Sequence, residues 1–266
     1  MAVHALAAML LHRLPRAAAD DAARSGQTSA QGFVSTRGKR FVAANGHLLL
    51  LKGINLGNWL VPEGYMLDFD IVKSPRAIYA ATERVLGLEG SAAFWRQFRD
   101  NFIREEDIAF IASAGFNTVR VPLHYAMFEG SDGIYLPTEG YALLDRLITW
   151  CKVAGIYVII DMHAAPGGQT GVNHDDGSGY PLLFYVPALQ DRTIAIWRAI
   201  AHRYRNEPTI LGYDLLNEPI APYHDVAYLN PKLEQFYRRL VSAIRSVDDN
   251  HVIFLGGAQW NSNFSI

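Results

Sequence analysis

The sequence predicts an α/β fold of parallel βα units, either a (β/α)8 barrel or a doubly wound sheet. Three observations predict it. Short β-prone runs alternate with helical stretches at wide spacing. The runs are apolar almost throughout, as strands covered on both faces should be. Polar, hydrogen-bonding side chains gather where the runs end.

The 266 residues suffice for one large domain or two small ones, half of them hydrophobic and 19% charged. The net charge of −2 offers no basic excess to neutralise phosphates, which argues against nucleic acid or an anionic membrane as partner. No stretch approaches the roughly 20 apolar residues of a membrane span. The single cysteine, Cys151, ends an amphipathic helix and reads as a packed core thiol. Five Trp and thirteen Tyr include aromatic faces of the kind that suit sugar rings.

Residues 1–31 read as a signal-like or disordered leader. An apolar run and small residues near Ala19 suggest secretion or a periplasmic location, although no positive region precedes the run. Arg40–Leu51 holds two β-prone runs around Asn45-Gly46, which predicts a hairpin with a two-residue turn. It feeds a first core strand at Ile54. Val61–Glu89 reads as a long loop with short helical pieces, and Ser91–Ser113 as one helix ended by Gly115. Strands follow at Phe116–Pro122, Ile156–His163, Ile210–Asn217 and His251–Gly256. Helices are expected at Tyr141–Ala154, Gln190–Arg205 and Lys232–Val247, with a glycine-rich loop from Ala164 to Tyr180.

Chemistry collects at the strand ends. The first gives Asn55, Asn58 and Trp59, with Glu63 beyond. The second gives Arg120, His124 and Tyr125, and the third Asp161 and His163. The fourth gives Asn217 and Glu218, the fifth Gln259 and Trp260. Pro219 forbids further regular pairing after Glu218. A carboxylate where buried strand meets loop is partly desolvated, which favours its protonated form and suits a general acid. Asp161 and His163, two apart on one strand face, could with Glu218 hold a metal, but no third clear ligand and no His-x-x-x-His accompany them. His174-Asp175-Asp176 reads as a solvated turn. No Gly-x-Gly-x-x-Gly, Walker or Gly-x-Ser-x-Gly sequence occurs, and Gly167-Gly168 opens a polar loop rather than a helix.

Gly53-Ile-Asn-Leu-Gly-Asn-Trp59, Val119-Arg-Val-Pro122, Ile160-Asp-Met-His163 and Leu216-Asn-Glu-Pro219 together resemble successive signatures of glycoside hydrolase family 5. Asn55–Glu63, Asp161–Gln169 and Leu215–Pro219 resemble its exo-β-1,3-glucanase branch. The resemblance runs from about Phe33 to the C-terminus and implies a retaining β-glucan hydrolase on a (β/α)8 TIM barrel, without metal or cofactor. It implies Glu218 as acid/base, Asn217 on the sugar 2-hydroxyl and Arg120 beside the nucleophile. It also implies His163, His124 and Glu63 on the reacting sugar. Asn58, Trp59, Gln259 and Trp260 are further candidates for substrate contact. Competing readings are a non-catalytic carbohydrate-binding remnant and a metal-dependent barrel hydrolase.

Retention needs two carboxyl groups about 5–5.5 Å apart, and the family's nucleophile ends its seventh strand. Only five strands are expected before Ile266. On this reading 32–266 is a partial catalytic domain, an incomplete barrel of about five βα units preceded by a β-hairpin, with the nucleophile beyond Ile266. Such a barrel cannot close. The isolated chain is then expected to be unstable and inactive, with Arg120 facing an empty position.

Overall fold

The structure, a computed structural model, describes residues 32–129 and 139–264; the expected leader, 1–31, lies outside them. The chain first forms a small antiparallel sheet, β1 (Ser35–Arg37), β2 (Arg40–Val42) and β3 (Leu48–Leu49). β1 adds a strand to the expected hairpin. The β2–β3 connection is a five-residue loop rather than a two-residue turn. Ala43 N–H donates to the His47 carbonyl, and the Asn45 side chain accepts from His47 N–H. Asn45 closes a local turn with its own side chain, and that takes the place of the tight hairpin.

The main body is one parallel sheet in sequential order. Its strands are β4 (Gly53–Asn55), β5 (Thr118–His124), β6 (Tyr157–Ala164), β7 (Ile210–Asp214) and β8 (Val252–Phe254). Helices alternate with them: α1 (Pro75–Phe102), α2 (Glu105–Ser113), α3 (Glu139–Ala154), α4 (Pro187–Tyr204) and α5 (Val226–Arg245). A doubly wound sheet would reverse its strand order at a switch point. The unbroken order is that of successive units of a (β/α)8 barrel, and it excludes the alternative.

Helix boundaries follow local chemistry. α1 starts where Ser74 accepts a hydrogen bond from Ala77 N–H and Pro75 takes the first turn. Most of the expected loop 61–89 is therefore helix, interrupted at Gly87, whose φ of 72° breaks the helical path. The expected single helix 91–113 is in fact split at Ile103–Arg104. Arg104 N–H bonds to the Asp107 carboxylate and opens α2 as a new helix. Asp225 caps α5 through Tyr228 N–H, so that helix begins upstream of Lys232 and carries Pro231 in its second turn.

Alternate strand residues face the helices. Val119, Val121, Leu123, Val158, Ile160 and Met162 are fully buried there against the stripe Leu144, Leu147 and Cys151 of α3. Burial pushes the Cys151 thiol up to about 12, as a packed core thiol requires. Ile54 lies at the sheet edge and is 43% exposed. Ile159 faces the barrel interior with Arg120 and is half-buried. Leu215 is buried but lies past the end of β7.

A bulge sets the register that matters. Val158 pairs with Ile210, but Ile159 pairs with Gly212, so β7 carries one extra residue. The bulge places Asp214 beside Asp161 on the interior face and Tyr213 beside Ile160 on the helix face. On the other side β7 meets β8 so closely at Gly212 that a Cβ there would sit 2.2 Å from the Val252 carbonyl oxygen. A one-residue slip would swing Asp214 to the helix side.

On the helix face Tyr213 O–H donates to Asp248 at 2.7 Å, and His251 Nδ1 lies 2.6 Å from the same oxygen. Burial would raise the Asp248 carboxyl, but bonds from His251 and Tyr213 hold it down at about 2. A depressed carboxylate stabilises the fold above its unfolded value near 4, and the contribution disappears as pH falls through the folded value. It amounts to about 2 kcal/mol. Denaturation at pH 6 and at pH 2 should therefore show a stability gap between wild type and Asp248→Asn that narrows in acid. A gap independent of pH would contradict this account.

Candidate active site

The carboxyl ends of the strands open into a cleft of about 490 Å³. Asn55, Glu63, Arg120, His163, Asn217, Glu218 and Trp260 line it, together with Tyr65, Met66, Val172 and His174.

Arg120 is the hub. Rising from β5 into the interior, its Nε and Nη2 donate to Asp214 Oδ2 at 3.0 and 2.8 Å. Nη2 also donates to Asn217 Oδ1 at 3.0 Å, and Nη1 to Asn55 Oδ1 at 3.3 Å. Asp161 Oδ1, fully buried, lies 3.0 Å from Nη2 without hydrogen-bond alignment. Burial pulls the guanidinium pKa down, but Asp161 and Asp214 more than reverse it and hold the charge firmly. Asp214 is pushed up to about 6 by burial and by Asp161, against the pull of Arg120. The expectation of an empty position opposite Arg120 is thus corrected: two aspartates already engage it. Asp214 was not among the sequence candidates. An acid in an otherwise apolar strand was the available signal, since such a group needs a partner.

His163 extends the network. Its Nδ1 lies 2.7 Å from Asp161 Oδ2, so Nδ1–H donates there and Nε2 faces the cleft. Nε2 is 3.4 Å from Asn217 Nδ2 and 3.7 Å from Glu63 Oε1. Burial lowers the imidazole pKa, but Asp161 and Glu63 bring it above the ordinary value. Asn217 is thereby oriented, its oxygen toward Arg120 and its amide nitrogen toward His163. Glu218 follows at φ 43°, half-buried on the cleft wall.

Asn58 and Trp59 serve behind the cleft. Asn58, at φ 63°, accepts a bond from Glu63 N–H at 2.9 Å and so sets the Glu63 backbone. Trp59 is buried, and its indole N–H donates to the Arg99 carbonyl. Neither reaches the cleft surface, which corrects their assignment to substrate contact. His124 is also withdrawn. It is 1% exposed, accepts from Ala126 N–H through Nδ1 and donates through Nε2 to Asp176 at 2.9 Å. Burial would raise Asp176, but His124 and Arg76 keep it below the usual carboxylate range. Gln259 bonds Asn263 and does not line the cleft, whereas neighbouring Trp260 does, 44% exposed.

His174 corrects the expectation of a solvated turn. Asp175 accepts from Thr170 N–H, Thr170 O–H and Gly177 N–H, folds the glycine-rich loop inward, and brings His174 to the cleft wall. Tyr65 and Met66 arrive on a 3-10 turn, Gly64–Leu67, whose spacing gave no sequence signal. As for a metal, both Asp161 oxygens are directed at Arg120 and His163, and no cluster of three or more candidate ligands occurs among the described residues.

Residues 79–266 match the family model described as cellulase, glycosyl hydrolase family 5. The chain is 35% identical over 235 residues to a beta-xylosidase of Phanerodontia chrysosporium, covering 88% of this chain and 48% of that relative. It is 29% identical over 220 residues to a probable glucan 1,3-beta-glucosidase A of Aspergillus clavatus, covering 80% and 52%. The chain thus spans about half the length of these relatives. Among solved structures, a rutinosidase from Aspergillus niger superposes with a TM-score of 0.68 at 19% identity, over 78% of this chain and 62% of that one. At that identity it shows the fold alone.

Arg120→Met would leave buried Asp161 without its cation. Breaking such a pair costs about 3–5 kcal/mol. Chemical denaturation should show a loss of that size, and the Asp214 carboxyl should titrate well above its present value of about 6 in an NMR pH series. A loss below about 1 kcal/mol, as for exposed pairs, would show that Arg120 is not the hub.

Proposed function

The chain belongs to the cellulase family, glycosyl hydrolase family 5, and from that premise we propose that it is the acid/base-bearing part of a retaining glycoside hydrolase acting on β-linked glucan. The observation that carries the reading is the convergence of Glu218, Asn217, His163 and Glu63 on one cleft over the Arg120 network.

Each group has a role in it. Glu218 protonates the leaving glycosidic oxygen and later takes a proton from water. The Asn217 amide nitrogen, presented by Arg120 and His163, donates to the 2-hydroxyl of the reacting sugar. His163 Nε2 and Glu63 hold further hydroxyls of that sugar, and the faces of Tyr65 and Trp260 flank the rings. Retention requires a nucleophilic carboxylate about 5–5.5 Å from Glu218. The relatives' names support a β-glycosidic substrate. A polymeric substrate is met outside the cytoplasm, which fits a secreted or periplasmic enzyme. Among the described residues no helix is long and apolar enough to cross a membrane.

The test is Glu218→Gln in the protein as its gene encodes it. Activity on glucan, a poor leaving group, should fall by about 10²–10⁴-fold. Activated aryl glycosides need no proton, so they should lose far less, and azide should restore turnover by replacing water at the glycosyl-enzyme. Equal losses on both substrates without azide rescue would exclude Glu218 as the acid/base. Saccharide binding with no turnover in wild type would favour a non-catalytic binding protein.

A further inference from the structure

The segment carrying Glu218 is held in an unfavourable backbone path. Glu218 has φ 43° and Ile220 has φ 58°. A β-branched residue in the left-handed region is a true outlier and persists only where its surroundings over-determine it. Pro219 between them supplies no N–H. The restraint must come from elsewhere.

It comes from Gln169. Its side chain is fully buried. Nε2 donates to the His163 carbonyl at 2.8 Å and to the Asn217 carbonyl at 2.9 Å, while Oε1 accepts from Ala165 N–H at 3.0 Å. Its own carbonyl accepts from Ile220 N–H at 2.9 Å, and the next carbonyl, Thr170, accepts from Ala221 N–H at 3.1 Å. One residue therefore ties the end of β6 to both sides of Glu218. It does so at the backbone of His163 and Asn217, whose side chains face the cleft. Only a primary amide meets these demands, because two carbonyls need two donors from one nitrogen and Ala165 needs an acceptor. A carboxylate would set an oxygen against two carbonyls, and an apolar side chain would orphan three buried groups.

We propose that Gln169 is a positioning residue for proton transfer: it holds the strained Asn217–Ala221 turn so that the Glu218 carboxyl meets the leaving oxygen. Gln169 touches neither substrate nor reacting atoms. The proposal rests on the reading of Glu218 as the acid.

A misplacement of about 1 Å at a reacting group can lower a rate by about 10²-fold. The expected signature is selective. In the protein as its gene encodes it, Gln169→Leu and Gln169→Glu should lower kcat/KM, which reports the glycosylation step, on an alkyl β-glucoside by about 10–100-fold. On an activated aryl β-glucoside kcat/KM should change less than about threefold, since no proton transfer to that leaving group is needed. The ratio of the two rates comes from one preparation, so the amount of folded enzyme cancels. Hydrogen exchange should also quicken at Ile220 and Ala221, while Val158–Met162 on β6 stay protected. Equal losses on both substrates, or unchanged exchange at Ile220 and Ala221, would overturn the proposal. Loss of the whole fold in both variants would do the same, since Gln169 would then be a structural residue. Glu218→Gln run in parallel separates the two readings. If it lacks leaving-group selectivity, the acid assignment falls and the proposal with it. If it shows selectivity and the Gln169 variants do not, only the proposal falls.

Discussion

A buried aspartate with no exposure at all constrains the rest of this structure. Asp161 sits in the interior of the sheet, where an unpaired carboxylate is too costly to keep ionised. Its two oxygens turn to Arg120 and His163, and those two residues carry the polar network at the base of the cleft. Arg120 fixes Asn217 and Asp214, while His163 takes a defined tautomer with Nε2 outward. The placement of Asn217 and Asp214 is thus a consequence of satisfying one charge.

The fold was legible in the sequence wherever periodicity was strong. The near-continuous apolar runs at 118–124, 157–164 and 210–214 are strands, because both faces of a parallel sheet are covered. Those runs and their ends gave Arg120, His163, Asn217 and Glu218, and the structure brings all four to one cleft. What stayed hidden depends on contacts distant in sequence. Nothing local shows that β7 bulges against β6, so nothing local separates Asp214, turned inward, from Tyr213, turned outward. Trp59 and His124 look like site residues by position. Whether a side chain beside a strand end points into the cleft or behind it depends on which partner reaches it, Arg99 for one and Asp176 for the other. The α1 boundary is a different kind of miss. Ser74-Pro75 is a local start signal, but a helix interrupted by Gly87 has a weak apolar stripe to confirm it.

Electrostatics in the cleft are finely opposed. Four carboxylates, Glu63, Asp161, Asp214 and Glu218, surround Arg120 and His163. Asp214 is raised first by burial and then by Asp161, whereas His163 is raised by Asp161 and Glu63 against its burial. A positive charge on His163 and a negative charge on Asp214 favour each other. Arg120 stays charged among them, held so by Asp161 and Asp214.

The placement of Asn217 and Glu218 draws on both faces of one short strand. On the interior face Asp214 is gripped by Arg120. On the helix face Tyr213, one residue earlier, is locked to Asp248 and His251 ahead of β8, with Arg245 of α5 donating to the carbonyls of both. The carbonyl of Leu215, the next residue on, accepts from the buried Trp197 indole N–H. Three consecutive residues are thus tied to three different elements just before the chain turns into its strained path. A strand held on one face alone could twist about its axis and carry Glu218 with it. Held on both, it cannot, and the strain in the turn is borne by Gln169 rather than relieved by rotation of β7.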